Sequence, residues 1–499
     1  MSISRAGAPM NRRSPERRGA AAPAAVAALA AFLFLPVPAA AQEMQFESPD
    51  AATLRPTASE EAAVRHFWMA LDDAENIFPA RAVKHIEQAL EIDPGFGLAR
   101  ALHGFSAPGL SAEERQKEIR AGLAAMSEAT AAEILLATAW REWRAGNTRV
   151  AKKIVATASA LAPSDPHLAY AHAQLVGAVA GGEKGLEATR EVTTKFPDFA
   201  PAWNILAYQL WAADDHEGAF QAVRKYEELV PDHPNSHDSH AELLQWDGKL
   251  EEAAAHYERA IELSPDYNVG YVGLAEVRWL QGATKEIYPL LEQAAAHAPT
   301  DAGRVNARRA LAGTYLMTGD RKRAVVELAT VATEAETAGL TALAALAHQQ
   351  MAVIDALGNG KRMEAHLARA AELSGAENPG QQAWTALAYA TAGRTAEAQS
   401  ALEALDKTVG SDGNPGLRST MREVKAILLL RQNQATEAMA ELEESTADRP
   451  LTRALKAECY KKLKDRTKAS EMKMDLVSDP TLNFYNAILP FALIRVQKV

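Results

Sequence analysis

Five prolines, Pro163, Pro197, Pro231, Pro265 and Pro299, follow one another at intervals of thirty-four residues. A fixed period of that length marks a small unit repeated along the chain, each unit burying its apolar face against its neighbours. Pro94 precedes Pro163 by sixty-nine residues, two periods plus one. With each proline set at position 32, position 8 is Ala70, Gly104, Ala139, Ala173, Ala207, Ala241 and Ala275. Position 20 is Ala82, Ala151, Ala219 and Ala253, departing to Gln116, Gly185 and Ile287. Gly146, Gly248, Gly282, Gly319 and Gly393 fall at position 15.

The unit therefore reads as two amphipathic helices, A and B, of about a dozen residues each. Small residues at positions 8 and 20 let the two axes approach closely. A glycine at position 15 can take the left-handed conformation that ends helix A. The proline stops helix B and redirects the chain. Composition agrees, since 48% hydrophobic but only 6% aromatic residues imply a core of alanine and leucine. Beyond Pro299 the register slips by three residues and resumes as Ala312/Ala324, Ala386/Ala398, Ala426/Ala438 and Ala457/Ala469. A degenerate pair lies between, around "LGNGKRMEAHLARAAELSG". About twelve helix pairs are expected from Ala63 to roughly Val477.

The pattern resembles the tetratricopeptide repeat (TPR). Trp203, Leu206, Ala207, Leu210, Ala219, Val223, Tyr226 and Pro231 fall on its eight signature positions, and Trp246 to Pro265 resembles its turn and second helix. The resemblance implies an all-α, right-handed α-solenoid whose concave groove is lined by helix A. It also implies that positions 2, 5, 9 and 12 face that groove. Those positions hold Leu136, Trp140 and Trp143, then Tyr170 and Gln174, then Asn204, Tyr208 and Trp211. Asp238, Glu242 and Gln245 follow, then Glu276 and Trp279, then Asn306 and Arg309. Aromatic rings beside amides and carboxylates suit a peptide segment or protein partner; the alternative is that the rings pack between helices. Family members that hold the acidic tails of cytosolic chaperones carry lysine at position 5 and asparagine at position 9. Here those positions read Asn204/Tyr208, Asp238/Glu242 and Val272/Glu276, so that clamp is absent and a neutral or basic ligand is expected.

The first forty-one residues read as an export signal: a basic stretch with Arg12, Arg13, Arg17 and Arg18, an apolar run, and Ala39-x-Ala41 as the cleavage site. A periplasmic protein beginning at Gln42 is expected; an uncleaved anchor is the alternative. Residues 42–62 form a polar lead-in expected to be mobile. Residues 63–301 make a regular array and 305–478 a more degenerate one, with a turn-rich loop at Gly410 to Gly416. The apolar end, 479–499, is expected to lie across the last repeat as a cap, with a membrane-surface helix as the alternative. The net charge of −11 disfavours nucleic acid, and the single cysteine, Cys459, excludes an intramolecular disulfide. Oligomeric state is left open.

No block outside the repeats is long enough for a catalytic domain, and no cofactor is expected. "GFSAPG" has one residue too many for a nucleophile elbow, and "GNGK" lacks the first glycine and the hydroxyl of a phosphate loop. No catalytic residues are assigned. His233, His237 and His240, beside Asp232 and Asp238, raise a second reading, a metal-binding or metal-dependent protein. In register they straddle a repeat junction, with His233 in the linker and His237 and His240 at packing positions 4 and 7. No metal is assigned from sequence.

Overall fold

In the computed structural model, residues 53–409, 415–445, 449–481 and 483–493 are described. The expected export signal and most of the Gly410 to Gly416 loop lie outside them. The described residues form twenty-five α-helices and no strand. The first pairs are α1 (Glu61–Glu75) with α2 (Pro79–Ile92), α3 (Gly97–Ser106) with α4 (Ala112–Ala124), and α5 (Ala131–Arg144) with α6 (Thr148–Leu161). Then come α7 (Pro166–Ala180) with α8 (Gly182–Lys195), α9 (Ala200–Ala212) with α10 (His216–Leu229), and α11 (Pro234–Trp246) with α12 (Leu250–Leu263). Next are α13 (Asn268–Leu280) with α14 (Thr284–His297), α15 (Asp301–Met317) with α16 (Arg321–Thr337), and α17 (Thr341–Ala356) with α18 (Met363–Ser374). The last are α19 (Pro379–Ala392) with α20 (Thr395–Val409), α21 (Pro415–Arg431) with α22 (Ala435–Glu443), and α23 (Pro450–Lys462) with α24 (Arg466–Val477). A single unpaired helix, α25 (Phe484–Leu493), follows them.

The register explains the packing. Ala70, Ala139, Ala207, Ala241, Ala275, Ala82, Ala151, Ala219 and Ala253 have no accessible surface, and Ala312, Ala324, Ala386, Ala398, Ala426, Ala438 and Ala457 repeat this after the slip. Helix α10 ends at Leu229, and Val230 caps it immediately before Pro231. The slip has a simple cause: α15 and α16 are seventeen residues each, where the earlier helices are mostly thirteen or fourteen. Asp301 to Arg304, where the register slips, forms the first turn of α15.

Position 15 holds a left-handed residue in nine units, whether or not that residue is glycine. The five glycines there have φ between 77° and 83°, and the same position holds Ile77 (61°), Asp214 (65°), Asn433 (62°) and Lys464 (66°). A β-branched side chain in that region is strained by about 1–2 kcal/mol. Ile77 is half exposed and packs too little to offset this. Ile77→Gly is therefore expected to stabilise the chain by about 1 kcal/mol, after allowing for the greater entropy of glycine when unfolded. An unchanged or lowered urea midpoint would contradict this.

Two expectations about the ends need correction. Residues 53–60 are held: the Leu54 amide donates to Asp165 Oδ2 (2.9 Å), Thr57 donates twice to Glu133, and the Ser59 amide donates to Asp93 Oδ2. The C-terminal segment does more than cap the last pair. Helix α25 packs against α15, α17 and α23. These are odd-numbered helices, the ones that touch one another along the inner wall, as α11, α13 and α15 do. Phe484, Ile488, Phe491 and Ala492 are at most 2% exposed, which accounts for an apolar end that water would not tolerate.

Candidate partner-binding groove

The inner wall presents helix A residues, and two parts of the chain itself lie on it. At one edge is the turn between α1 and α2. Phe78 meets Tyr267 edge-on (centroids 5.3 Å), Asp73 Oδ1 is 3.7 Å from His233 Nε2, and His167 Nδ1 is 2.7 Å from Glu75. The first pair thus touches the fourth, sixth and seventh. Along the other edge runs the segment from Val477 to α25. Gln245 Nε2 donates to the Pro480 carbonyl (3.0 Å) and Trp279 Nε1 to that of Val477 (3.3 Å). The Phe484 amide donates to Glu276 Oε1 (3.0 Å), and Arg309 sits over the Tyr485 ring at 5.4 Å. Arg321 donates to the Ala492 carbonyl, and Arg453 pairs with Asp479.

The groove residues expected from sequence divide into two sets. Trp140 (4% exposed), Tyr170 (4%) and Trp211 (8%) pack between helices rather than standing open. Trp140 stacks on Phe105 at 5.4 Å, and Trp143 tilts against the same ring at 5.5 Å. Tyr170 meets Phe199 edge-on, and Trp211 stacks on His216 at 4.0 Å. A ring at these positions is long enough to reach the adjoining helix wherever that helix offers another ring.

The polar set converges. Tyr208 donates to Glu242 Oε2 (2.7 Å), and Tyr257 donates to Gln245 Oε1 (3.2 Å). Tyr267 donates to Asn235 Oδ1, whose amide in turn donates to the Tyr226 hydroxyl. Asp238, Glu242 and Glu276, on α11 and α13, are partly buried and keep some contact with solvent. Burial, reinforced by Glu242, pushes Asp238 up to about 8. Burial likewise pushes Glu276 up to about 8, against the opposing Phe484 amide. Glu242 is raised by the same cause, opposed by the Tyr208 hydroxyl. At neutral pH Asp238 and Glu276 are thus largely protonated, and each can donate as well as accept. The groove centre is therefore polar and carries less charge than three ionised carboxylates would give it. Asn204 is 1% exposed, and neither amide atom finds a partner among the described residues.

The three histidines separate. His233 caps α11, its Nδ1 accepting from the Asn235 amide, and faces Phe78 and Asp73 of the first pair. His237 and His240 turn the other way, toward Glu227 and His256. Sequence spacing grouped His233 with them and left out both Glu227 and His256. No helix among the described residues is long and apolar enough to cross a membrane.

Residues 241–267 match a family model described as tetratricopeptide repeat. No curated protein matches the sequence significantly. Among solved structures, a TPR protein from Parabacteroides merdae is 14% identical, covering 58% of this chain and 99% of its own, with a TM-score of 0.34. A thermophilic TPR protein of Thermus thermophilus is 19% identical over 35% of this chain and 96% of its own, with a TM-score of 0.31. YrrB, described as a TPR protein with an unusual peptide-binding site, is 13% identical over 37% of this chain and 96% of its own, with a TM-score of 0.28.

Proposed function

We propose, from the premise that this chain is a tetratricopeptide-repeat protein, that it is a scaffold that holds an extended segment of a protein partner against its inner wall. The observation that carries this reading is the grip on residues 477–484. Gln245, Glu276 and Trp279 bond only main-chain atoms of that stretch, two carbonyls and one amide, while Arg453 takes the Asp479 side chain and Phe484 is buried. Main-chain recognition is indifferent to the side chains of the guest, so the same residues suit another polypeptide in the same place. Tyr208, Asp238 and Glu242 extend the polar wall beyond the resident segment. Protonated Asp238 and Glu276 favour a guest that is neutral where it meets them. The partner competes with the chain's own C-terminal segment for part of the wall. No enzymatic role is proposed.

The basic, apolar and small-residue succession of residues 1–41 supports export to a periplasm, where the scaffold would serve an envelope or export assembly. Terminal sequencing of the protein from its native host should find Gln42 first; a chain retaining residues 1–41 would overturn the cleaved form.

A photocrosslinker at Tyr208 or Trp279 tests the groove, with one at the outward residue Glu228 as control. The inner positions are expected to capture a common protein that the outer one does not. A synthetic peptide of residues 477–493 should suppress that capture. Equal capture from inside and outside, or no competition by the peptide, would overturn the reading.

A further inference from the structure

His237 and His240 meet two residues that stand well apart from them in the chain. Glu227 lies in the last turn of α10, His237 and His240 on α11, and His256 in the middle of α12, so three successive helices converge. Oε2 of Glu227 is 2.6 Å from Nδ1 of His240 and 3.9 Å from Nδ1 of His256. Oε1 of the same carboxylate is 3.3 Å from Nδ1 of His237, which lies 3.4 Å from Nδ1 of His256. One donor atom each from Glu227, His240 and His256 fit within 4.8 Å of one another, the one such trio of His, Cys, Asp or Glu among the described residues.

The ring orientations add a second, independent pointer. Nε2 of His237 lies 2.9 Å from the Pro231 carbonyl, which can only accept. Neutral His237 therefore carries its proton on Nε2 and turns an Nδ1 lone pair into the cluster. A ligating imidazole is held this way, its outer N–H fixed by a backbone carbonyl.

We propose that Glu227, His237, His240 and His256 form a binding site for a zinc-class divalent transition-metal ion, with one nitrogen from each imidazole and one carboxylate oxygen as ligands. Tetrahedral zinc with bonds of about 2.0–2.2 Å sets its ligand atoms about 3.3–3.5 Å apart. With Oε2 as the carboxylate ligand, the 3.9 Å to His256 and the 3.4 Å between His237 and His256 are already near that spacing. The 2.6 Å contact between Glu227 and His240 has to lengthen, and Glu227, at the end of its helix with a side chain 24% exposed, has room to turn. The His256 ring is 25% exposed, so the cluster opens to solvent and an ion can enter. Three imidazoles and one carboxylate favour zinc, copper or nickel over magnesium or calcium, which prefer all-oxygen sites.

The fold also supplies an internal control. Glu336, His348 and His366 occupy the same succession of helices, α16, α17 and α18, with His348 Nδ1 3.1 Å from His366 Nδ1. There the Arg369 guanidinium takes both Glu336 oxygens, at 2.6 and 3.3 Å. A fixed cation on the carboxylate opposes a metal ion at that junction. Glu227 is in contact with no arginine or lysine among the described residues. A metal on the first cluster would pin α10, α11 and α12 together, stiffening the unit whose helix α11 carries Asp238 and Glu242 to the groove.

Zinc titrated calorimetrically into chelator-stripped, untagged full chain tests the site. One equivalent should bind with a dissociation constant of about 10 µM or tighter, and cobalt(II) should show the intense visible absorption of a tetrahedral site. His256→Gln should weaken that equivalent by at least about tenfold and abolish the cobalt absorption, whereas His348→Gln should leave both unchanged. Glu227→Gln gives the same reading at a helix end should His256→Gln fold poorly. The proposal is overturned if no saturable equivalent binds below about 100 µM, if its affinity is unchanged in both cluster variants, or if His348→Gln abolishes it equally.

Discussion

Replacing Gly313 by alanine is expected to detach the C-terminal segment from the inner wall while leaving the solenoid folded. Gly313 is buried on α15, where a Cβ would stand 2.1 Å from the Phe484 carbonyl oxygen and 2.9 Å from its carbon. Both atoms are backbone, so no side-chain rotation relieves the clash. The Phe484 amide is tied to Glu276 on α13, so the segment cannot withdraw without giving up that bond as well. The loss is large for so small a change. Phe484, Ile488 and Phe491 each contribute about 1.5–3 kcal/mol while buried, and they dock as one helix. Amide exchange of residues 484–493 should accelerate by about a hundredfold or more, with α9 to α14 little affected. Chymotryptic cleavage near Phe484 or Phe491 should appear at the same time. Full protection of 484–493 in Gly313→Ala would show that the segment is not seated there. Under the scaffold reading the variant also frees Gln245, Glu276 and Trp279, so partner capture should rise.

The contrast with Gly273 shows why the effect is confined. A Cβ at Gly273 would meet the Tyr257 ring at 2.3 Å, inside the wall between α12 and α13. Gly273→Ala should therefore lower the stability of the array itself, by about 1–3 kcal/mol. The readout is the urea midpoint; a midpoint equal to the parent's would mean that the ring moves aside freely.

Most of the architecture could be read from one unit at a time. Positions 8, 15, 20 and 32 are local requirements, each imposed by one helix contact, one turn or one stop. Even Ile77, Asp214, Asn433 and Lys464 take the left-handed turn at position 15 without a glycine. Contacts between distant units were not legible. That Phe78 reaches Tyr267, or Phe484 reaches Gly313, depends on a small rotation per repeat summed over many repeats, and no single unit encodes that sum. The groove was legible only in part for the same reason. Glu242 and Tyr208 share position 9 of adjacent units and meet as register implies. Trp140 also holds a groove position, but whether its ring stands open is decided by Phe105 on α3. The histidine cluster lay between the two cases. Register could have joined Glu227 near the end of one helix B to His237, His240 and His256 of the next unit, whereas spacing along the chain favoured His233.

A double variant, Asp238→Asn with Glu276→Gln, is expected to stabilise the protein at pH 8 and to change little at pH 4. The ordinary values for these groups are 3.8 and 4.5, and burial raises both to about 8 in the fold. The folded chain thus retains protons that the unfolded chain has lost, and between about pH 4 and pH 8 it binds more of them. Stability therefore falls as pH rises through that window, and is full below it. One unit of pKa corresponds to about 1.4 kcal/mol, so the two rises together would set a bound of about 10 kcal/mol. Both carboxyls keep some solvent contact, which reduces this to about 2 kcal/mol for the pair at pH 8. The amides keep the shape and much of the hydrogen-bonding capacity of protonated carboxyls while removing the charge that high pH would impose. Urea unfolding of parent and variant at the two pH values measures the difference directly. A gap of equal size at pH 4 and pH 8 would mean that these carboxyls titrate normally. The groove would then be anionic at neutral pH, and its guest would have to be basic.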